Sequence, residues 1–336
     1  MAIEGFSSGY SPVGLFLGLD AVYGVQLRIR GDELVLAQAA SASLPAQVDL
    51  VGPGRQVLKE TINSVLSNFK VKRVHINLPH TGAVRRYVQV HKGRSSLPEV
   101  ARLDLETVFP ETPLEKILFA PVAVGERKVS GARIDEYVLL AAVPDFIEAL
   151  SQVASQLKLQ VTGIGFGPEA AFWATRHVTQ PDLGAASEGD KTFLTAVLSP
   201  VGNAIDLSLW EGDRLAFVKL IGRETGAPQS LERMGEDVGE ALWFYLSVHR
   251  ESQLQQVVIT GILAEYDQFK LLLENSLDVP VKSLHHTQLA EVGPDVELVE
   301  SGSWTEAIGL AILGARAAKG FKSELDFTPK ALGQAV

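Results

Sequence analysis

The sequence predicts an α/β protein built from two similar halves, with a small α/β subdomain inserted into the first. Three observations carry this. A strand–loop–strand–turn–strand pattern occurs near residue 15 and recurs near residue 193. Between them, residues 97–166 alternate helix, strand, strand, helix, strand. Finally, 179–191 is a polar, small-residue, Gly/Pro-containing stretch of the kind that links units.

The elements follow in order. Leu15 to Leu19 is a short apolar run. Val25, Leu27 and Ile29 alternate with Gln26, Arg28 and Arg30, the period-2 mark of a half-buried strand. Gly31-Asp32 then turns the chain into Leu34-Val35-Leu36, a hairpin. Over 55–69 the period changes, and Val57, Leu58, Ile62, Val65, Leu66 and Phe69 share one helical face. Strands are expected at 74–78 and 84–90.

A helix over 97–109 must stop before Pro110, because the residue preceding a proline disfavours helical angles. Strands at 117–124 and 136–143 follow, then a helix opening at Pro144-Asp145, a strand at 160–166 and a helix opening at Pro168-Glu169. In the second half, 193–198 is apolar. Ile205, Leu207 and Leu209 alternate with Asp206 and Ser208, Gly212-Asp213 punctuates, and 215–220 is apolar again. The alternative is two unrelated hairpins sharing common turn residues. Helices at 228–249, 263–277 and 304–318 and strands at 257–260 and 279–284 complete the chain. Gly235 and Gly239, and Gly309 and Gly314, sit inside predicted helices. Close helix packing is the expected reason, since each costs about 1 kcal/mol against alanine.

Composition narrows the function. The 336 residues contain no cysteine, which excludes disulfide frameworks, thiolate metal sites and thiol nucleophiles. The net charge of −10 disfavours nucleic acid and anionic lipid as global partners. No apolar run reaches the ~18 residues of a spanning helix, and no secretory signal opens the chain, so a soluble cytoplasmic location is expected. The seven histidines show no ligand spacing, and no metal site is expected. His75 and His91 fall on predicted strands, adjacent His285-His286 point different ways in a strand, and His249 ends a helix. Arg85-Arg86 and Lys70, Lys72 and Arg73 read as solvated faces.

The order of elements, with Leu105 to Glu115 (LETVFPETPLE), Tyr137 to Val143 and Pro168-Glu169-Ala170, resembles the PilM family of type IV pilus assembly proteins. The family lies within the actin-like ATPase superfamily, with the cytoplasmic domain of the type II secretion protein GspL as a relative and FtsA more distant. The resemblance runs from about 15 to about 320. It implies a duplicated actin-like (ribonuclease H-like) architecture. Residues 1–71 and 167–190 form the first subdomain, 72–166 the inserted one, 191–320 the second domain and 321–336 a tail.

Actin-like ATPases hold phosphates between two glycine turns and adenosine on a third. In this resemblance the first turn is Asp20-Ala21-Val22-Tyr23-Gly24, with valine at the family's glycine position and Tyr23 where a phosphate would pass. The second is Ser199-Pro200-Val201-Gly202-Asn203, with serine for aspartate and a proline that removes a backbone donor. Gly202-Asn203 is expected to turn one residue late. The third keeps a single glycine, Gly261. Asp20, Gly24, Ser199, Gly202, Asn203 and Gly261 are therefore the residues of a degenerate nucleotide site, with no catalytic residue and ATP/Mg binding doubtful. The tail residues Leu325, Asp326, Phe327, Thr328 and Pro329 resemble the Ile-Asn-Leu-Leu-Pro motif of PilN, which binds a groove on PilM.

The resemblance implies a scaffold at an inner-membrane pilus or secretion platform. Its partners would be a PilN-like membrane protein, an assembly ATPase of the PilB/GspE type and further copies of itself. Its alternative is an actin-like ATPase that polymerises or switches with ATP.

Overall fold

The computed structural model describes residues 9–30, 33–45, 52, 54–129, 131–176, 178–179, 192–222, 229–294, 296, 298, 304–323 and 325–328. β1 (Gly9–Tyr10), β2 (Val13–Leu17), β3 (Ala21–Arg30) and β4 (Glu33–Ser43) are antiparallel neighbours, β3 pairing with each of the others. The Gly31-Asp32 turn lies outside the described residues, but Arg30 pairs with Glu33 across it. After α1 (Gly54–Leu66) the chain enters β5 (Arg73–Leu78), parallel to β2.

Then comes the insertion: β6 (Ala83–His91), α2 (Leu97–Val108), β7 (Phe119–Val129) and β8 (Ala132–Ala142), forming a three-stranded sheet in the order β6-β8-β7. Ser96 and Glu99 cap α2 reciprocally, and Phe109 ends it before Pro110. α3 (Pro144–Gln156) returns the chain to β9 (Gln160–Phe166), parallel to β5, and α4 (Gly167–Arg176) follows. Of the linker, all but Thr179 lies outside the described residues.

β10 (Thr192–Val201), β11 (Ala204–Glu211), β12 (Arg214–Gly222), α5 (Leu231–Val248), β13 (Ser252–Thr260), α6 (Asp267–Leu277) and β14 (Val281–Leu284) repeat the plan. The first sheet runs β4-β3-β2-β5-β9 and the second β12-β11-β10-β13-β14. In both, the spatial order is third, second, first, fourth, fifth, with two antiparallel and then two parallel pairings. Chance similarity of two hairpins does not produce that agreement.

The sequence order differs from the packing at the end of the chain. α7 (His286–Leu289) and β15 (Glu291–Val292) lead back to the first sheet, where β15 pairs with β4. α8 (Trp304–Ala317) is buried in the core of the first sheet, not the second. The stretch 191–320 is thus shared between two cores. His285 caps α7 instead of lying in a strand. Of the helical glycines, Gly309 is explained by packing, since a Cβ there would overlap the Ala170 carbonyl where α8 crosses α4. Gly314 is also tight, against His75 and Pro12, whereas Gly239 has nothing within 4 Å. Among the described residues no helix is long and apolar enough to cross a membrane.

Candidate functional site

The first turn joins β2 to β3. The Gly18 N–H donates to the Ala21 carbonyl at 2.9 Å, so the turn glycine is Gly18, ahead of exposed Asp20. Gly24 does not belong to it. It lies within β3 under α1, where a Cβ would stand 2.6 Å from Val65 Cγ1 and 3.1 Å from Phe69. Its role is packing, which corrects its assignment to the nucleotide turn. Tyr23 is likewise a strand residue. It meets Trp304 edge-on at 5.1 Å and sits beside Phe16, so it fastens the start of α8 to the sheet rather than filling a turn.

The second turn is the displaced one. Gly202, with φ of +56°, and Asn203 join β10 to β11, and Val201 pairs with Ala204. The third turn touches the second. Gly261 also has positive φ, and the Pro200 ring lies so close that a Cβ on Gly261 would be 2.7 Å from Pro200 Cγ. Pro200 therefore packs against the Cα of Gly261, which leaves no room for a side chain there.

A buried polar cluster forms around Ser199, which faces Asp206 in the β10–β11 register. Alternation predicts a solvated Asp206 and Ser208, yet β11 is buried on both faces. Asp206 is 1% exposed and accepts from Arg85 Nη1 and His80 Nε2, each at 2.8 Å. Arg85 also contacts His80 Nδ1. Arginine only donates, so Nδ1 accepts and Nε2 carries the hydrogen directed at Asp206. Burial alone would raise the Asp206 carboxyl, but Arg85 and then His80 hold it below its usual range. The Arg85 guanidinium lies 5.1 Å from the Phe166 ring. It is thus not the solvated strand residue the sequence suggests; its neighbour Arg86 is exposed and pairs with Asp104.

Close by, Glu306 in the first turn of α8 is buried. Neither of its oxygens has a hydrogen-bond partner among the described residues. Burial, and then the charge of Asp206, push its carboxyl up to about 7. These groups come from β10, β11, α8, β6 and the connection between β5 and β6. Their chemistry is mutual neutralisation across the two halves. Among the described residues, no group of three or more His, Asp or Glu is placed to hold a metal ion.

The tail forms a second site. Leu325 to Thr328 lie along the edge of β9 that β5 leaves free. The Phe327 N–H donates to the Ile164 carbonyl at 2.8 Å. Asp326 Oδ1 accepts from the N–H groups of Ile164 (3.1 Å) and Thr328 (3.0 Å). Leu325 and Phe327 are buried in the first core. Upstream, the Arg316 guanidinium is held between the Trp173 and Phe321 rings, at 3.8 and 4.1 Å. The Ser323 hydroxyl donates to Glu169 Oε1 at 2.5 Å. Burial pushes the Glu169 carboxyl up to about 7, against the pull of Ser323. Beside the tail is a cavity of about 430 Å³ walled by Val122 of the insertion, Trp210 and Leu215 of the second half, and Leu325. Pro329 lies outside the described residues.

The insertion also touches the second half directly. Tyr87 packs on Phe217 with ring centres 5.8 Å apart, and His249 approaches Glu136 at 3.4 Å. Sequence reasoning missed His80, Arg85, Asp206 and Glu306. The one available signal was a charged residue inside an apolar strand, and it was read as alternation.

No family model matches this sequence, and no curated protein matches it. Among solved structures, a "PilM-PilN type IV pilus biogenesis complex" superposes with a TM-score of 0.62 at 17% identity, covering 91% of this chain and 98% of that one. The cytoplasmic domain of EpsL, an inner-membrane component of the type II secretion system of Vibrio cholerae, gives 0.44 at 10% identity, covering 93% and 95%. A Bacteroides thetaiotaomicron protein of actin-like ATPase fold and unknown function gives 0.44 at 12% identity, covering 90% and 96%. At 17% identity the first of these likenesses speaks for the fold alone, which is the duplicated actin-like architecture.

Proposed function

We propose that this chain is a scaffold of a type IV pilus or type II secretion platform at the inner membrane, acting by binding and not by catalysis. The observation that carries this is the tail, Leu325 to Thr328, seated on the β9 edge by the Phe327–Ile164 backbone bond, the Asp326 carboxylate and two buried side chains. Edge-strand addition is a common way for a sheet to take a peptide, with backbone bonds giving affinity and alternate side chains giving specificity. A solved structure of similar fold is a PilM-PilN complex. We read the tail as standing in the place of a PilN-like partner segment, so that the chain fills its own groove until a partner displaces it. An assembly ATPase would be a further partner, and the membrane would be reached through the PilN-like one.

The rival reading is an ATP-dependent actin-like protein. It requires a cleft that phosphate can enter. Pro200 over Gly261, and Arg85 and His80 bound to Asp206, both oppose it.

The test is a titration of a labelled peptide of residues 321–336 into the full chain and into a chain ending at Lys322. A tethered tail competes at an effective concentration of roughly millimolar. The shortened chain should therefore bind the peptide saturably, and the full chain more than tenfold more weakly. Equal affinities, or no binding to a shortened chain that still melts cooperatively, would overturn the proposal.

A further inference from the structure

We infer that the face formed by α5 and α6 is a docking groove for a basic, amphipathic helix of a partner protein. The inference stands apart from whatever occupies the β9 edge. On α5, Glu232, Gly235, Glu236, Gly239, Glu240 and Trp243 share one helical face. Leu272 and Ser276 of α6 form the opposite wall, and the hollow between them measures about 530 Å³.

The glycines are not required by the fold. At Gly235 a Cβ would make ordinary contact with Leu272 at 3.8 Å, and at Gly239 it would meet nothing within 4 Å. Glycine is the poorest helix former after proline, so two in one helix weaken it with no internal gain at the second position. What they create is a shallow floor, four residues apart, on which another helix can lie close. One end of that floor is apolar and uncovered, with Trp243 59% and Phe244 69% exposed. Exposed aromatics beside a hollow mark a binding surface.

Charge selects the occupant. Glu232, Glu236 and Glu240 rim the groove. Arg233 is engaged by Glu236 at 3.1 Å and Asp237 at 2.8 Å, while Glu232 accepts from Gln268 at 3.0 Å. Residues 192–320 hold 18 acidic and 9 basic side chains, so nearly all of the chain's net charge of −10 resides there. A second copy presenting the same face would be repelled. A helix with lysine or arginine flanking an apolar stripe gains from both the rim and the Trp243 ring.

The probe is an 18-residue helical peptide of lysine, leucine and alanine, with its glutamate counterpart as control. Trp243 reports binding, because the other three tryptophans are buried and acrylamide quenching senses the exposed one. The expected result is saturable binding of the lysine peptide that protects Trp243 and weakens as salt rises. Gly239→Leu, which fills the hollow on the solvent side, should cut affinity at least tenfold with the melting temperature unchanged or raised. Glu236→Lys with Glu240→Lys should do the same. The inference fails if both variants bind like the parent, if the glutamate peptide binds equally, if nothing binds, or if Trp243 becomes protected on concentrating the protein alone.

Discussion

The polar cluster between the two halves and the edge of β9 are both occupied by groups of the same chain, but by different means. In the cleft the occupants are parts of the fold itself. Pro200 lies over Gly261, and Asp206 takes two partners from the other half of the duplicated structure. Removing any of them damages the protein. At the β9 edge the occupant is the far end of the chain, joined to the body through Gly320 and held by one backbone bond, the Asp326 carboxylate and two buried side chains. Removing it leaves β9 an unpaired edge with the rest of the sheet intact. On the proposed reading, groups built into the core leave no exchangeable occupant, whereas a terminal segment on a sheet edge can be exchanged for a partner segment.

The largest effect that can break this contrast is expected at Arg85. Arg85→Met leaves Asp206 buried with one partner fewer. It should cost about 3–5 kcal/mol in denaturant unfolding. A loss below 1 kcal/mol would mean that the cluster does not hold the halves together.

Phe327→Ala should cost less, about 1.5–3 kcal/mol for the burial of the ring. The loss should be no greater than that of deleting 323–336, because a separable segment can lose only its own docking energy. A Phe327→Ala loss larger than the deletion would mean that the tail is not a separable segment and erase the distinction.

Glu306→Gln sharpens the cleft side. The Glu306 carboxyl is raised from 4.5 to about 7 in the fold. Its contribution to stability is therefore full below pH 4.5 and lost as pH rises through 7. Glutamine carries no charge to bury, so the variant should gain about 1–3 kcal/mol at pH 8 and nothing at pH 4. His75, lowered by burial to about 4, titrates in the opposite sense and cancels in the comparison with the parent.

The smallest effect is expected at Asp20. Asp20→Ala removes an exposed side chain from a turn held by backbone bonds, and stability should change by less than about 0.5 kcal/mol.

Much of this arrangement was legible in the sequence. The duplication, the insertion and the stop of α2 before Pro110 follow from periodicity and local backbone rules, which act within a few residues. The one-residue displacement of the second turn to Gly202-Asn203 was also readable, since turn residues are local facts. What could not be read was partnership across distance. Arg85 and Asp206 are 121 positions apart, and each alone resembles an ordinary strand charge. Gly24 and Tyr23 fell in the right segment but in the wrong role, because strand and turn differ there by a few residues. α8 was placed by chain order in the second half, while its mostly apolar, buried faces belong to the first core.

Titration calorimetry of Mg·ATP into the full chain, with Asp20→Ala as control, tests the closed cleft most directly. Closure by Pro200 and the Asp206 cluster predicts no saturable heat with either protein. A saturable heat that Asp20→Ala abolishes would contradict it and restore the nucleotide-dependent reading.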